Sequence, residues 1–120
     1  MEVIMICDDD REILELTGLL LESYGYKTLL EPNSARLFER IVKEMPDILL
    51  LDFWMPKVAR DEVIKILKND IRTRNLPIIL FSASIEGAII ARQCGANDFI
   101  AKPYDVEQLN SKIQHLLKSA

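Results

Sequence analysis

Several short apolar runs in this sequence end in residues suited to metal or phosphate chemistry. Asp8 and Asp9 follow the first run, and Asp52 follows a later one. Ser82 and Lys102 follow two further runs. Carboxylate oxygens are ligands for Mg²⁺, and a carboxylate can also attack phosphorus to form an acyl phosphate. A lysine and a hydroxyl can bind phosphoryl oxygens. The pattern therefore indicates phosphoryl transfer to Asp52, provided that the fold brings these residues together.

Each of these residues also has an ordinary structural interpretation when it is considered alone. Asp9 or Asp10 can cap the N-terminus of a helix, and Asp52 can be a turn residue. Ser82 can be a strand-end hydroxyl, and Lys102 can be a solvated surface charge. The joint occurrence of suitable residues after separate apolar runs favours the chemical interpretation.

Apolar runs alternate with segments of helical periodicity from end to end, in the order βα repeated five times. The predicted strands are Val3–Cys7, Lys27–Leu30, Asp47–Leu51, Pro77–Phe81 and Asp98–Ala101. Five helices are predicted: from Asp9 or Asp10 to about Tyr24, from Asn33 or Ser34 to near Pro46, from about Asp61 to Asn69, from Ile85 to Cys94, and from about Asp105 to Leu117. The apolar residues of the second of these helices are Phe38, Ile41, Val42 and Met45. Such alternation predicts an α/β fold with a parallel sheet between helices. In parallel strands the carboxyl ends lie at one edge of the sheet, where open α/β sheets bind ligands.

Length and composition limit the class of protein. The 120 residues fit one domain, predicted over 1–120, and the net charge of −4 argues against direct nucleic-acid binding. Cys7 and Cys94 have no metal-ligand spacing, so we expect two reduced thiols. No apolar run is long enough to span a bilayer, and the N-terminus lacks signal-peptide features. We therefore expect a cytoplasmic protein without membrane contact.

The motifs ICDDD, DILLLDFWMP, ILFSAS and DFIAKP together extend over the whole chain. With these motifs the chain resembles the receiver domain of bacterial two-component response regulators, including the stand-alone chemotaxis type. The resemblance implies a flavodoxin-like sheet with the strand order 2-1-3-4-5. It also implies a phosphorylation-dependent signalling switch rather than an enzyme, apart from self-phosphorylation and self-dephosphorylation.

The resemblance further implies how a phosphoryl group and a cation are held. Asp52 is the implied phosphoacceptor, and the donor is a histidine kinase or a histidine phosphotransfer protein. Asp9 is an implied direct ligand of Mg²⁺ or Mn²⁺, with Asp8 acting directly or through water. Asp52 itself and the backbone carbonyl of Trp54 are further implied ligands. Lys102 is the lysine that contacts the phosphoryl group, and its bond to Pro103 is expected to be cis.

Two residues are implied to transmit the switch. Ser82 is the hydroxyl that moves toward the phosphoryl group, and Phe99 is the aromatic side chain whose rotamer follows. An aromatic residue in a strand can equally be plain core. The last-but-one helix, the fifth strand and the last helix would form the face that an effector protein reads, and a phosphorylation-dependent dimer is left open.

Two departures from the family pattern affect the expectations. The family usually has a small residue or glycine shortly after Met-Pro, where this chain has Ala59 and Arg60, so the loop is expected to take a different path. Trp54 is bulky, and we hypothesise that its ring shields the site and slows self-dephosphorylation. It is the single tryptophan, so its fluorescence is expected to respond to Mg²⁺ or a phosphoryl mimic.

Other functions remain as alternatives. A small Mg²⁺-dependent phosphatase with an Asp nucleophile usually has a second acid at the position of Trp54. A flavin-binding domain needs a phosphate loop after the first strand, where this chain has three aspartates, Asp8 to Asp10. A further alternative is a receiver-like scaffold that is never phosphorylated. His115 lies late in the last predicted helix and is expected to be a surface residue rather than a phosphate carrier.

Overall fold

The computed structural model describes residues 2–52, 57–82, 92, 95–101 and 105–119. The strands are β1 (Val3–Cys7), β2 (Lys27–Glu31), β3 (Ile48–Asp52), β4 (Ile78–Ser82) and β5 (Asp98–Ala101). The helices are α1 (Arg11–Glu22), α2 (Leu37–Glu44), α3 (Lys57–Asn69) and α4 (Val106–Ser119), with a 3₁₀ turn at Ser34–Arg36 before α2. Within the described ranges, no helix combines the length and the apolar character needed to cross a membrane.

The strands form one parallel sheet in the order β2-β1-β3-β4-β5. This confirms the predicted fold class and strand order. In the register, Cys7 lies opposite Glu31 on one side and Leu51 on the other. Ser82 lies opposite Ala101 at the far side of the sheet. The carboxyl ends of the strands therefore lie at a common edge.

Alternate residues of the strands pack against helices on opposite faces of the sheet, because successive side chains of a strand point in opposite directions. On one face, Ile4, Ile6 and their neighbours pack against α1 and α4. On the other face, Met5 and Leu49 pack against α2 and α3. Both faces of β3 are fully buried, so a short continuous apolar run was a reliable signal for the central strand.

The observed boundaries differ from the predicted ones around β3 and α3. Asp52 is the last residue of β3 rather than the residue after it. The third helix begins at Lys57, four residues earlier than predicted, so Ala59 and Arg60 have helical backbone rather than loop backbone. Most of the helix predicted over 85–94 lies outside the described residues, although Arg92 has helical backbone.

Met45 was predicted on the apolar side of the second helix, and that assignment is wrong. Its backbone is left-handed with φ 51°, it follows the last residue of α2, and its side chain is 61% exposed. The cause lies in the next residue, because Pro46 disfavours right-handed helical backbone at the position before it. The helix therefore ends at Glu44, and the side chain of Met45 projects into solvent.

Candidate functional site

Three carboxylates meet at the carboxyl edge of the sheet. Asp8, Asp9 and Asp52 each offer one oxygen, and all of these oxygens lie within 4.8 Å of one another. Asp8 is 1% exposed and Asp52 is 2% exposed, whereas Asp9 is exposed to solvent. Neighbouring strands therefore bring Asp52 close to Asp8 and Asp9, which are 44 and 43 positions away in the sequence, as the strand-end pattern predicted.

Hydrogen bonds donated by backbone amides hold the segment that follows β1. The amide of Asp8 donates to the carbonyl oxygen of Glu31 at 3.3 Å, which continues the pairing of β1 with β2. The Asp8 Oδ1 atom accepts from the amide of Asp10 at 2.9 Å. Asp10 in turn caps α1, since its Oδ1 accepts from the amides of Glu12 at 3.0 Å and Ile13 at 3.3 Å. Of the two caps that the sequence left open, Asp10 is therefore the one used.

The thiol of Cys7 lies beside this negative charge and is buried. Burial raises the pKa of the Cys7 thiol to about 12, with further contributions from the negative charges of Glu31, Asp8 and Asp52. Both causes disfavour the thiolate. Cys7 is therefore a neutral core residue below the site, as the sequence analysis expected of a reduced thiol.

The donor set suits a hard divalent cation. Mg²⁺ takes oxygen ligands at about 2.1 Å, so two opposite ligands are about 4.2 Å apart. The upper limit of 4.8 Å among the carboxylate oxygens is close to that value, and small side-chain movements would bring them into range. Like charges that are this close repel one another, and a bound cation would relieve the repulsion. Asp8, Asp9 and Asp52 would then hold the ion.

The remaining predicted site residues are described only in part. Ser82 ends β4 with its backbone opposite Ala101, and nothing further is described for its side chain. Phe99 lies in β5 opposite Leu80 and is partly buried against the core beneath α2 and α3. Trp54 and Lys102 lie outside the described residues, so their roles stay predictions.

A further acid, which the strand-end pattern did not predict, lies next to the site. Glu31 ends β2 and is only 5% exposed. Its Oε2 accepts from the amide of Asn33 at 2.9 Å, and its Oε1 lies 3.5 Å from Nη1 of Arg40 in α2. Arg40 Nη1 also donates to the carbonyl oxygen of Leu30. The available signal was a charged residue at the end of the run Thr28–Leu30, in the same relation to β2 as Asp52 to β3.

The fold and the acidic edge together define an open parallel α/β domain with a candidate cation site at the carboxyl ends of its strands. The response regulator receiver domain family matches residues 4–114 of the chain. The chain therefore belongs to the receiver domains of two-component response regulators, as its motifs predicted.

Individual relatives agree with this assignment. The chain is 33% identical over 119 residues to the phosphate regulon transcriptional regulatory protein PhoB of Pseudomonas aeruginosa, covering 98% of this chain and 52% of that protein. It is 32% identical over 117 residues to the DNA-binding dual master transcriptional regulator RpaA of Synechocystis, covering 96% of this chain and 48% of that protein. The chain thus spans about half the length of these relatives.

A crystal structure of a putative response regulator from Chloroflexus aurantiacus superposes with a TM-score of 0.90, at 27% identity and 98% coverage of both chains. A CheY-like receiver domain protein from Methanospirillum hungatei superposes with a TM-score of 0.86 at 25% identity, covering 99% of this chain and 95% of that chain. The similarity in structure extends over nearly the whole chain in both comparisons.

Proposed function

We propose that this receiver domain is a switch in which Asp52 accepts a phosphoryl group from the phosphohistidine of a histidine kinase or phosphotransfer protein. The observation that carries the proposal is the convergence of Asp8, Asp9 and Asp52 at one edge of the sheet. Membership of the receiver family supports it independently.

The buried carboxylate of Asp52 is suited to the role of nucleophile. Its backbone is fixed in β3 opposite Phe81, so the carboxylate has a defined position at the edge of the sheet. A carboxylate oxygen would attack phosphorus while the phosphorus–nitrogen bond of the donor breaks and its electron pair returns to the imidazole. A Mg²⁺ or Mn²⁺ ion, when bound, would neutralise charge on the carboxylates and the phosphoryl oxygens.

Residues after β3 would complete the site. We assign to Lys102 a contact with the phosphoryl group, to Ser82 a hydrogen bond to it, and to the carbonyl of Trp54 a place among the cation ligands. Phe99 is partly buried against the core beneath α2 and α3, and we assign to it a change of rotamer that would alter the surface of β5. The output would be the docking of an effector protein on the face formed by β5, α4 and the segment before β5.

Phosphorylation by a small donor tests the proposal directly. The purified protein is incubated with acetyl phosphate and Mg²⁺, and its intact mass is measured with and without EDTA. We expect a gain of one phosphoryl group that depends on Mg²⁺ and is absent in Asp52→Asn. The matched control is Glu107→Gln, which removes an exposed carboxylate of α4 and should be phosphorylated like the wild type.

Two outcomes would contradict the proposal. If the wild type gains no phosphoryl group, the domain is better explained as a scaffold that is never phosphorylated. If the protein turns over a phosphate ester continuously without accumulating an acyl phosphate, the phosphatase alternative is favoured.

A further inference from the structure

Four acidic residues, not three, lie at the carboxyl ends of three adjacent strands. In the order β2-β1-β3, Glu31 ends β2, Asp8 and Asp9 follow β1, and Asp52 ends β3. Neighbouring strands are about 4.8 Å apart, so Glu31 is one strand away from the candidate cation site. Among the described residues Glu31 is not part of the group whose oxygens converge within 4.8 Å. It is therefore a neighbour of the cation ligands rather than one of them.

The carboxylate of Glu31 is buried and held by two partners. Its side chain is 7% exposed, and the Arg40 guanidinium lies 3.5 Å from Oε1, while the amide of Asn33 donates to Oε2 at 2.9 Å. A buried charge needs such compensation, because an isolated one is costly to remove from water. Arg40 itself keeps contact with solvent, with a side chain that is 31% exposed.

We propose that Arg40 sets the affinity of the Asp8–Asp9–Asp52 group for a divalent cation by neutralising the buried Glu31 carboxylate. The inference rests on the cation site of the proposed function and adds a residue of α2 that controls its strength. With Arg40 in place, the pair contributes no net charge to the acidic edge. Without it, a fourth negative charge acts on the cation, and without Glu31 the guanidinium acts as an uncompensated positive charge.

The proposal makes predictions of opposite sign for the two partners. Arg40→Gln should strengthen Mg²⁺ binding, and Glu31→Gln should weaken it, each by about three- to tenfold for charges one strand apart in a partly screened site. The double variant should bind nearly like the wild type, since both charges are then absent. Arg40→Lys keeps the positive charge and should also bind nearly like the wild type.

The experiment is a calorimetric titration of the metal-free protein with MgCl₂ at pH 8, repeated at low and high NaCl. Lys43→Gln is the matched control, because it removes one positive charge from an exposed side chain of the same helix and should leave the dissociation constant within about twofold. Circular dichroism verifies that each variant is folded. Should Arg40→Gln not fold, Glu31→Gln and Arg40→Lys still test the predicted sign.

The outcomes separate this inference from the function on which it rests. If the wild type binds Mg²⁺ and is phosphorylated, but Arg40→Gln and Glu31→Gln change affinity in the same direction or no more than Lys43→Gln, the inference alone is overturned. A structural role would weaken binding in both variants, because loss of either partner would loosen the end of β2. If the wild type binds no Mg²⁺, the proposed cation site and this inference fail together.

Discussion

Three consecutive aspartates show how position alone gives one residue type different roles. Asp8 is buried with the acidic group, Asp9 reaches the same group from the exposed side, and Asp10 caps α1. These three roles follow from the connection between β1 and α1. The first of the three aspartates lies at the edge of the sheet, and the last precedes the first residue of the helix. A substitution at one of these aspartates can therefore be compared with the same substitution at an adjacent aspartate that has a different role.

Asp8→Asn should weaken Mg²⁺ binding at the proposed site by about tenfold or more, because a buried carboxylate of the acidic group is replaced by a neutral amide. The same change should raise the free energy of unfolding of the metal-free protein by about 1–3 kcal/mol, since it removes repulsion with Asp52 and Asp9. Calorimetric Mg²⁺ titration and urea unfolding in EDTA measure the two effects.

Asp10→Asn is the matched control for this prediction. Asparagine caps a helix about as well as aspartate, so stability and Mg²⁺ affinity should both stay near the wild-type values. A metal-free Asp8→Asn protein that is less stable than wild type would contradict the view that these carboxylates repel one another.

The protonation of Cys7 leads to a prediction about pH and reactivity. Its pKa is raised to about 12 in the fold, mainly by burial, from a value of 9.0 for an unperturbed thiol. Folding therefore favours the neutral thiol. The free energy of unfolding should keep its full value below pH 9 and fall as the pH rises from 9 toward 12, because the thiol ionises in the unfolded chain before it ionises in the folded one. At pH 8.5 iodoacetamide should leave Cys7 unmodified in the native protein and alkylate it in urea, as read by peptide mass mapping. Rapid native alkylation of the Cys7 peptide would show that the thiol is neither buried nor neutral.

The residues that the sequence revealed were those defined by strand ends, and those it hid were defined by tertiary pairing. Asp8, Asp9 and Asp52 could be predicted because each follows a clear apolar run. The Glu31–Arg40 pair could not, because nothing in the order of residues shows that an arginine of α2 lies beside the end of β2. The solvent exposure of Met45 depends on a backbone conformation imposed by its neighbour, which hydrophobic periodicity does not register.

At the scale of elements, the strands were easier to predict than the starts of the helices. Buried parallel strands are marked by continuous apolar residues, and all five were located to within one residue of their observed ends. The start of α3 was misplaced because the residues before Lys57, Phe53 to Pro56, include no Ser, Thr, Asp or Asn, and side-chain caps are the main sequence signal for a helix start. The 3₁₀ turn before α2 likewise has no distinct signal, because Asn33 caps it as it would cap an α-helix.

The contact of α1 with β2 depends on a glycine in the middle of the helix. A Cβ atom at Gly18 would lie 3.1 Å from Cδ2 of Leu30 and 3.5 Å from Oγ1 of Thr28. Thr28 also donates from Oγ1 to Oε1 of Glu22 at 2.8 Å. The absence of a side chain at Gly18 thus allows the helix to approach the outermost strand closely, at the cost of helix propensity.

Gly18→Val should lower the free energy of unfolding by about 2 kcal/mol, because it adds a Cβ atom 3.1 Å from Leu30 Cδ2 and two further methyl groups that this close approach of helix and strand must accommodate. Gly18→Ala should be close to neutral, since its gain in helix propensity of about 1 kcal/mol offsets a contact that a small movement of Leu30 relieves. Urea unfolding of the two variants measures the difference. Equal stability of both would mean that α1 can move away from β2 without cost.

At the scale of the whole molecule, the sheet separates two apolar cores and brings its acids to one edge. Each core joins the strands to a different pair of helices, so the position of the edge depends on the whole fold. The acidic group exists only in the folded chain, because its members come from β3 and the segment after β1. Cation binding at the proposed site would therefore be linked to folding, because a cation that binds only the folded state must stabilise it.

Mg²⁺ at ten times its dissociation constant should raise the free energy of unfolding by about 1.4 kcal/mol. The increase should be absent in Asp52→Asn, which loses one carboxylate charge of the group, and present in Glu107→Gln, which loses an exposed charge far along the chain. Thermal unfolding in EDTA, in MgCl₂ and in NaCl of equal ionic strength measures the effect, and the NaCl sample separates specific binding from general screening of the net charge of −4. If NaCl stabilises the wild type as much as MgCl₂ does, the converging carboxylates respond only to ionic strength, and the link between this edge and a bound divalent cation is lost.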